Sequence, residues 1–391
     1  MTPAARAQAA TVILDDIAAG RPLEPALLTW ARGNRYAGSK DRAAIRDIVF
    51  SIMRRRASCA AMGGGMAGRA LLRGFLAQEG IPEAEIFGQG PYAPPPLTPE
   101  DAPLKDPRDL TPAERADLQP WLWAALEESH PEAGEIAEAL RHRAPVWLRL
   151  DDPGGQAAAL ESLTAAGHAP EADPRCPGAI RITARERQLA QHPLLTEGGA
   201  ELQDLGPQRA LAALPTGPGA TALDFCAGGG GKALALAARG MEVTAHDADP
   251  GRMADLPRRA ARAGVRIAMP RAVKGTYDLV LCDVPCSGSG AWRRAPANKW
   301  TLTPEDLSTL VARQRSILTA ALRHIRPGGT LAYMTCSLLP AENDAQAAWL
   351  AERLGQTPAF TRQYTPLDGC DGFYIAVFGP LPEMSQLQVD F

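Results

Sequence analysis

Two cysteines and an aspartate lie where strand-like runs of the sequence end. Asp283 and Cys286 follow the apolar run YDLVL at 277–281, and Cys336 follows GTLAYMT at 329–335. A cysteine thiolate is a nucleophile for an electron-poor ring, and a nearby carboxyl group can share a proton with that ring. An unpaired cysteine is more commonly a small buried apolar residue. The same arrangement at two strand ends favours a reactive site over two unrelated core residues.

A glycine-rich segment, LDFCAGGGGK at 223–232, is typical of a strand followed by a loop and a helix. Glycines there allow a backbone to approach a ligand closely and expose amide groups at a helix start. The segment is not a phosphate-binding loop, because Ala233 follows Lys232 where serine or threonine is required, and it does not fit G-x-G-x-x-G. It is interpreted as a binding loop for a nucleotide-like ligand, formed by Cys226, Ala227, Gly228, Gly229, Gly230, Gly231 and Lys232.

The next strand-like run also ends in acidic residues, in VTAHDAD at 243–249. An acid at the end of the second strand can accept hydrogen bonds from both hydroxyl groups of a ribose. Asp249 precedes Pro250, which is a common helix start, so we expect Asp249 to cap that helix. Asp247 is then free for a ligand.

The whole chain has 391 residues, of which 46% are hydrophobic and 22% charged, and this favours two or three globular domains. It shows neither a secretion signal nor a membrane-length apolar segment, so we expect a cytoplasmic protein without a membrane partner. Seven cysteines are scattered without CxxC pairs or zinc spacing, which predicts neither a disulfide framework nor a metal site.

The charge of the chain does not by itself identify a partner. The formal net charge is −3, which excludes a protein coated in basic residues. Locally, Arg54, Arg55 and Arg56 are consecutive, and residues 252–274 contain seven basic side chains and one acidic side chain. Such clusters are more often solvated helix faces than phosphate-binding sites.

The elements that must position these residues fall into three regions. Residues 1–138 are predicted to form a helical domain that contains a proline-rich linker near 89–112. Residues 139–195 are predicted to form a small α/β connector. Residues 196–391 alternate strands with helices, which is typical of a doubly wound parallel sheet that binds ligands at the carboxyl ends of its strands. Both candidate cysteines fall at those ends.

Together the motifs resemble those of the cytosine-5 RNA methyltransferases of the NOL/NOP/Sun type. The family's Cys-Ala-x-x-Gly-Gly-Lys is similar to residues 226–232, its Asp-x-Pro-Cys-Ser-Gly to 283–288 and its Thr-Cys-Ser to 335–337. QDLGPQRA at 203–210 and DGFYIAVF at 371–378 also resemble family segments. The amino-terminal helices are similar to the NusB-type RNA-binding domain of the bacterial small-subunit ribosomal RNA branch.

This resemblance implies a class I, Rossmann-like methyltransferase domain preceded by the small α/β domain and the all-helical NusB-like domain. It implies methylation of carbon 5 of cytosine in RNA, which we expect to be ribosomal RNA, with S-adenosylmethionine as methyl donor. We expect the chain to be a monomer. Cys336 would be the nucleophile at carbon 6, and Asp283 would hydrogen-bond the protonated ring nitrogen and adjoin the cofactor. Cys286 would assist loss of the carbon 5 proton or release of the enzyme. The glycine loop and Asp247 would bind the cofactor.

Two departures from the family pattern leave alternatives open. Gly229 stands where the family usually has proline, and 266–277 contains no acidic or amide side chain for the adenine before Asp278. A catalytically silent RNA-binding or ribosome-assembly protein with the same fold is one alternative. A methyltransferase acting on tRNA or DNA is another.

Overall fold

The computed structural model describes residues 1–382 and divides into two compact units. One unit contains Met1–Arg143 and Trp292–Leu302, and the other contains Ala144–Ala291 and Thr303 onward. Residues 383–391, the end of the predicted 196–391 domain, lie outside the described residues. In the described part of the chain, no helix is both long enough and apolar enough to cross a membrane.

The regular elements are numbered in chain order. The α-helices of the described residues are α1 Pro3–Ala18, α2 Leu23–Gly33, α3 Ser39–Arg54, α4 Arg56–Gly63, α5 Gly68–Gln78, α6 Pro112–Ala116, α7 Pro120–Ser129, α8 Ala133–Leu140, α9 Gln156–Ala165, α10 Pro193–Thr196, α11 Leu205–Ala212, α12 Gly231–Ala238, α13 Leu256–Arg262, α14 Asn298–Thr301, α15 Pro304–Leu322 and α16 Asp344–Leu354. The strands are β1 Val146–Leu150, β2 Pro170–Ala172, β3 Ala179–Ile182, β4 Ala200–Leu202, β5 Thr221–Asp224, β6 Glu242–Ala245, β7 Ile267–Ala268, β8 Tyr277–Asp283, β9 Ile325–Thr335, β10 Phe360–Tyr364 and β11 Phe373–Phe378.

The first unit is helical, with α1 to α8 and α14. Its core includes Ile45, Val49 and Ile52, which recur on one face of α3 because they are three or four residues apart. Between residues 89 and 111 the only helical element among the described residues is a three-residue 3-10 turn at Pro107–Asp109. Proline cannot donate a backbone hydrogen bond, which accounts for the irregular course of this segment.

The second unit begins with a small antiparallel sheet in the order β2-β3-β1-β4. Strand β4, Ala200–Leu202, pairs with β1, so this sheet extends past residue 195, where the sequence placed the end of the connector. The extra strand is only three residues long, which is too short for its apolar pattern to be recognised in the sequence.

The large sheet has the order β10-β11-β9-β8-β5-β6-β7, and its strands from β9 to β7 are parallel. Strand β11 runs antiparallel to β9 and to β10 at the other edge. The parallel part confirms the predicted doubly wound α/β fold. Parallel strands end at one edge, so the carboxyl ends of β5, β6, β8 and β9 lie together there.

Helices cover both faces of this sheet. On β8, Leu279 and Leu281 belong to the core that includes residues of α11, α12 and α13, whereas Val280 and Cys282 belong to the core with α15 and α16. Successive side chains of a strand point to opposite faces, so a strand buried on both sides is an uninterrupted apolar run. The run YDLVL therefore marked a central strand of the sheet.

Candidate active site

The sulfurs of Cys286 and Cys336 are 3.3 Å apart. Cys286 lies in the loop after β8, and Cys336 follows the last residue of β9. The two strands are parallel neighbours, with Asp283 opposite Met334, so their ends meet at one edge. Both thiols are partly exposed, as a ligand site requires. The structure thus brings together the two cysteines that the sequence singled out.

Asp283, the last residue of β8, forms an ion pair with Lys232 of α12. The Lys232 Nζ donates a hydrogen bond to Asp283 Oδ2 at 2.6 Å and lies 5.3 Å from the centre of the Phe373 ring. Burial lowers the pKa of Lys232, but the charge and hydrogen bond of Asp283, helped by the charges of Asp224 and Cys336, outweigh it and leave the pKa raised. A stable ammonium group therefore lies beside both Asp283 and Cys336.

The two thiols differ in their surroundings. The pKa of Cys286 is raised well above its ordinary value, first by its contact with the Cys336 sulfur, then by burial, and then by the charges of Cys336 and Glu342. Loss of the Cys286 proton is therefore disfavoured.

The glycine loop joins β5 to α12 and has a conformation that only glycine adopts easily. Gly228 and Gly230 have φ of 52° and 78°, in the left-handed region. A Cβ at Gly230 would lie 2.3 Å from Cδ1 of Leu256. The amide of Gly230 donates to the carbonyl of Ala227 at 2.7 Å, which closes the turn. The loop is thus held open as a backbone cradle at the carboxyl end of β5.

Three carboxyl groups surround this loop. Asp224, the last residue of β5, is buried, and within the described chain neither of its carboxyl oxygens has a partner at hydrogen-bond geometry, although the amides of Cys226 and Ala233 are near enough to lower its pKa. Burial raises the pKa of Asp224 to about 7. After burial, the charges of Asp224, Asp283 and Asp247 all raise the pKa of Cys226 in the loop. Such a group of acids suits a cationic ligand.

Asp247 differs from its sequence prediction, because it is buried and bonded rather than free. Its carboxylate accepts hydrogen bonds from the amides of Gly228 at 2.8 Å and Asp249 at 2.9 Å, and from Arg252 Nη1 at 3.1 Å. These bonds tie the glycine loop to the end of β6. Asp249 does cap the following turn, accepting from the amide of Gly251 at 2.9 Å. The role of Asp247 as a ribose acceptor stays a prediction.

The sequence analysis did not single out two residues of the site, Asp224 and Glu342. Glu342 is fully buried and accepts hydrogen bonds from Ser287 and Ser337, the residues after the two cysteines. The available signal was an acidic residue within an apolar context, in LDFC for Asp224 and in LLPAEN for Glu342. Burial of a carboxyl group costs free energy unless a partner compensates it, so a buried acid indicates a partner or a function.

Several arginines of the two basic clusters have internal partners. Arg54 is buried and donates from Nε to the carbonyl of Arg293 at 2.7 Å. In the second cluster, Arg259 and Arg262 both bond Glu201, at 2.9 and 2.5 Å. These side chains stabilise the units that contain them. A phosphate-binding role for the clusters stays a prediction.

Asp278, the first acid after the third parallel strand, does not reach the site. It lies near the start of β8, at the opposite end of the strand from Asp283. Its carboxylate accepts from the amide of Thr221 at 2.8 Å and from the Thr221 hydroxyl at 2.7 Å. Asp278 therefore stabilises the start of two neighbouring strands.

Comparison with known proteins gives consistent similarities. The family model described as 16S rRNA methyltransferase RsmB/F matches residues 211–378. Ribosomal RNA small subunit methyltransferase B of Erwinia tasmaniensis is 34% identical over 278 residues, which are 66% of this chain and 65% of that protein. The protein of the same name from Xylella fastidiosa is 32% identical over 387 residues, 86% of this chain and 91% of that protein. The chain therefore spans slightly less than two thirds of the first relative and most of the second.

Solved structures share the fold. The crystal structure of PH0851 superposes with a TM-score of 0.72 at 19% identity, over 96% of this chain and 99% of that chain. A methyltransferase homologue from Pyrococcus horikoshii gives a TM-score of 0.59 at 22% identity, over 68% of this chain and 99% of that one. At these identities the likeness concerns the fold alone.

Proposed function

Because the chain belongs to the 16S rRNA methyltransferase RsmB/F family, we propose that it transfers a methyl group to carbon 5 of a cytosine in ribosomal RNA. The membership confirms the resemblance drawn from the motifs and the methyl donor that it implied, S-adenosylmethionine. One observation carries the proposed chemistry: the 3.3 Å contact between the sulfurs of Cys286 and Cys336, on the same sheet edge as Asp283.

The residues around the glycine loop fit the cofactor. S-adenosylmethionine is a sulfonium cation with an ammonium group, and when bound it supplies an electrophilic methyl group. Asp224, a buried carboxyl group without a partner at hydrogen-bond geometry in the described chain, would hold a cationic part of it. The backbone of 226–231 would cradle the nucleoside, and Asp247 would adjoin it through Gly228.

Attack on the base requires a nucleophile and a proton-sharing acid. The Cys336 thiolate adds to carbon 6, forming an S–C bond while the electrons of the C5–C6 double bond move to carbon 5. Ring nitrogen 3 takes up a proton from solvent as the thiolate adds, and the Asp283 carboxylate accepts a hydrogen bond from the new N–H, which makes the ring electron-poor enough for this addition; the proton returns to solvent when the base is released. Lys232 fixes Asp283 through its 2.6 Å hydrogen bond. Carbon 5 then accepts the methyl group.

Release regenerates both thiols. As the S–C6 bond breaks, the Cys286 thiol gives its proton to the departing Cys336 sulfur, with which it is in contact at 3.3 Å. The Cys286 thiolate so formed takes the proton from carbon 5, and the C5–C6 double bond returns. The raised pKa of Cys286, caused first by its contact with Cys336, favours the second half of this relay, because a thiolate whose pKa is raised is the stronger base.

The substrate cytosine must leave its stack to reach the sheet edge. Unstacking costs a few kcal/mol in a duplex and less in a loop or bulge. We therefore infer that the target lies in a single-stranded part of ribosomal RNA. The helical unit and the arginine clusters would contact phosphates without reading sequence.

Trapping of the covalent adduct tests this function. Cys286→Ala, Cys336→Ala and the control Cys176→Ala are each incubated with S-adenosylmethionine and unmodified small-subunit ribosomal RNA, then separated under denaturing conditions. Cys286→Ala should accumulate a protein–RNA adduct because release is blocked, whereas Cys336→Ala should form none. The control removes a buried thiol away from the site and should behave as the unmodified protein.

Other outcomes identify the alternatives. Adducts or methylation with tRNA instead of ribosomal RNA would make the protein a tRNA methyltransferase. RNA binding without adduct or methylation in any variant, or in the unmodified protein, would contradict the proposal and support a catalytically silent RNA-binding protein.

A further inference from the structure

A buried carboxylate lies between the two cysteine loops. Glu342 is 0% exposed, and its Oε1 accepts from the amide of Ser287 at 2.8 Å and from Gln314 Nε2 at 3.0 Å. Its Oε2 accepts from the hydroxyls of Ser287 at 2.5 Å and Ser337 at 2.6 Å. Four donors around two oxygens is the pattern of a carboxylate, and all four donors are neutral.

These bonds fix the backbone on both sides of the sulfurs. Ser287 follows Cys286 and Ser337 follows Cys336, so one carboxylate joins the two loops. Gln314 also donates to the carbonyl of Pro285, the residue before Cys286, at 3.0 Å. Hydrogen bonds to a charged acceptor are stronger than neutral ones and leave less freedom to their partners. Glu342 thus holds the residues that follow the two sulfurs, which are 3.3 Å apart.

The same carboxylate acts on charge. The contact with the Cys336 sulfur, burial and the charges of Cys336 and Glu342 raise the pKa of Cys286, and a hydrogen bond from the Gly288 amide opposes them. The phenol of Tyr333, which donates to the Glu342 carbonyl at 2.5 Å, is the other titratable group nearby. A buried anion opposes a second negative charge beside it. The ammonium of Lys232, by contrast, lies on the side of Asp283 and Cys336.

We propose that Glu342 is a positioning residue for both thiols: it clamps the two loops together, and its charge adds to the contact with Cys336 in opposing a negative charge on Cys286. The inference rests on the proposed function for its catalytic meaning. The effect of the Glu342 charge on the protonation of Cys286 can be measured without RNA or cofactor.

The decisive variant is Glu342→Gln, which removes the charge and keeps the shape. Its oxygen can still accept from the Ser287 amide and Gln314, while its NH₂ donates to the two serine hydroxyls, which can rotate to accept. In the full chain under reducing conditions, alkylation of each thiol by iodoacetamide is followed against pH by peptide mass spectrometry. We expect the Cys286 profile to move to lower pH, with a roughly threefold faster reaction near neutrality.

A second variant should move the profile the other way. Ser337→Ala removes one hydroxyl that compensates the carboxylate, so Cys286 should react only at higher pH than in the unmodified protein. Simple loosening of the loops would expose Cys286 in both variants and speed both reactions. As a matched control, Asp344→Asn removes a neighbouring acid that accepts from Tyr374 at 2.9 Å, and it should leave the Cys286 profile unchanged.

An unchanged Cys286 profile in Glu342→Gln, or shifts in the same direction in both variants, would overturn the inference. If Glu342→Gln does not fold, the direction of the Ser337→Ala shift decides alone. Because no RNA is used, the expected shifts in a chain that never methylates RNA would contradict only the proposed function. If the chain is active, Glu342→Gln should lower kcat about tenfold with KM for RNA unchanged.

Discussion

The buried ammonium of Lys299 predicts that the stability of the helical unit depends on pH. Its Nζ donates to the carbonyl of Arg54 at 2.7 Å and lies 4.9 Å from the centre of the Trp300 ring. Burial lowers the pKa of Lys299 to about 7 from the ordinary 10.5, and the negative charge of Asp117 only partly opposes this. In the unfolded chain the side chain has its ordinary pKa.

The sign follows from which state binds the proton. Between pH 7 and 10.5 the unfolded chain holds a proton that the folded chain has lost, so the free energy of unfolding rises with pH in this window. Below the window both states are protonated, and the destabilisation is complete and constant. A full pH unit is worth about 1.4 kcal/mol, so a change from about pH 7, where Lys299 is half titrated, to about pH 8.5 adds roughly 1.5 kcal/mol.

Urea unfolding of the unmodified protein and of Lys299→Met at the two pH values measures this contribution. Methionine has a similar length and does not titrate. The difference in free energy of unfolding between the two proteins should therefore change by roughly 1.5 kcal/mol between the two pH values. Lys40→Met, at an exposed lysine of α3 in the same unit, is the control and should follow the unmodified protein. An identical pH dependence in the unmodified protein and Lys299→Met would refute the reasoning.

Three further changes test the geometry of the site. Gly230→Ala should lower the free energy of unfolding by about 2–4 kcal/mol in thermal denaturation, because its φ is 78° and its Cβ would meet a side chain of α13 at 2.3 Å. The control Gly231→Ala, at the start of α12, should change the free energy of unfolding by less than about 1 kcal/mol. Equal effects of the two substitutions would contradict a strained conformation at position 230. Asp224→Asn should weaken S-adenosylmethionine binding about tenfold in calorimetry, because a buried carboxyl group loses its charge; an unchanged Kd would place Asp224 away from the cofactor. Hydrogen peroxide should link Cys286 to Cys336 by a disulfide, because the two thiols are in contact; the peroxide takes up their two electrons and two protons and forms water. Peptide mapping should detect this link, and dithiothreitol should reverse it. A missing link, or one that dithiothreitol does not reverse, would contradict the contact of the two sulfurs.

The central strands and their chemistry could be predicted because local patterns determine them. The apolar runs before Asp283 and Cys336 marked strands buried on both faces. Once two such strands are parallel neighbours, their ends must meet, so the pairing of the thiols followed from topology. The glycine loop could be predicted in the same way, since positive φ values require glycine at Gly228 and Gly230.

Side chains whose roles depend on distant partners could not be predicted. Asp247 and Asp249 are two residues apart and chemically alike, and only the position of Arg252 and the Gly228 amide shows which one is buried. Glu342 reaches Ser287 across 55 residues, a contact that no local spacing encodes. Trp292–Leu302 follows the Cys286 loop in sequence yet belongs to the helical unit, because tertiary packing of its side chains outweighs chain order.

The two sulfurs at the site are chemically identical, so any difference in their roles must come from their surroundings. A thiol next to another thiol at 3.3 Å shares one proton with it more easily than both lose theirs. We expect the position of fixed charges to distinguish the two sulfurs. The ammonium of Lys232 acts on Cys336, and the carboxylate of Glu342, bonded to the neighbouring Ser287, acts on Cys286. This polarity supports the proposed roles, nucleophilic attack by Cys336 and proton transfer by Cys286, on grounds that do not depend on the family to which the chain belongs.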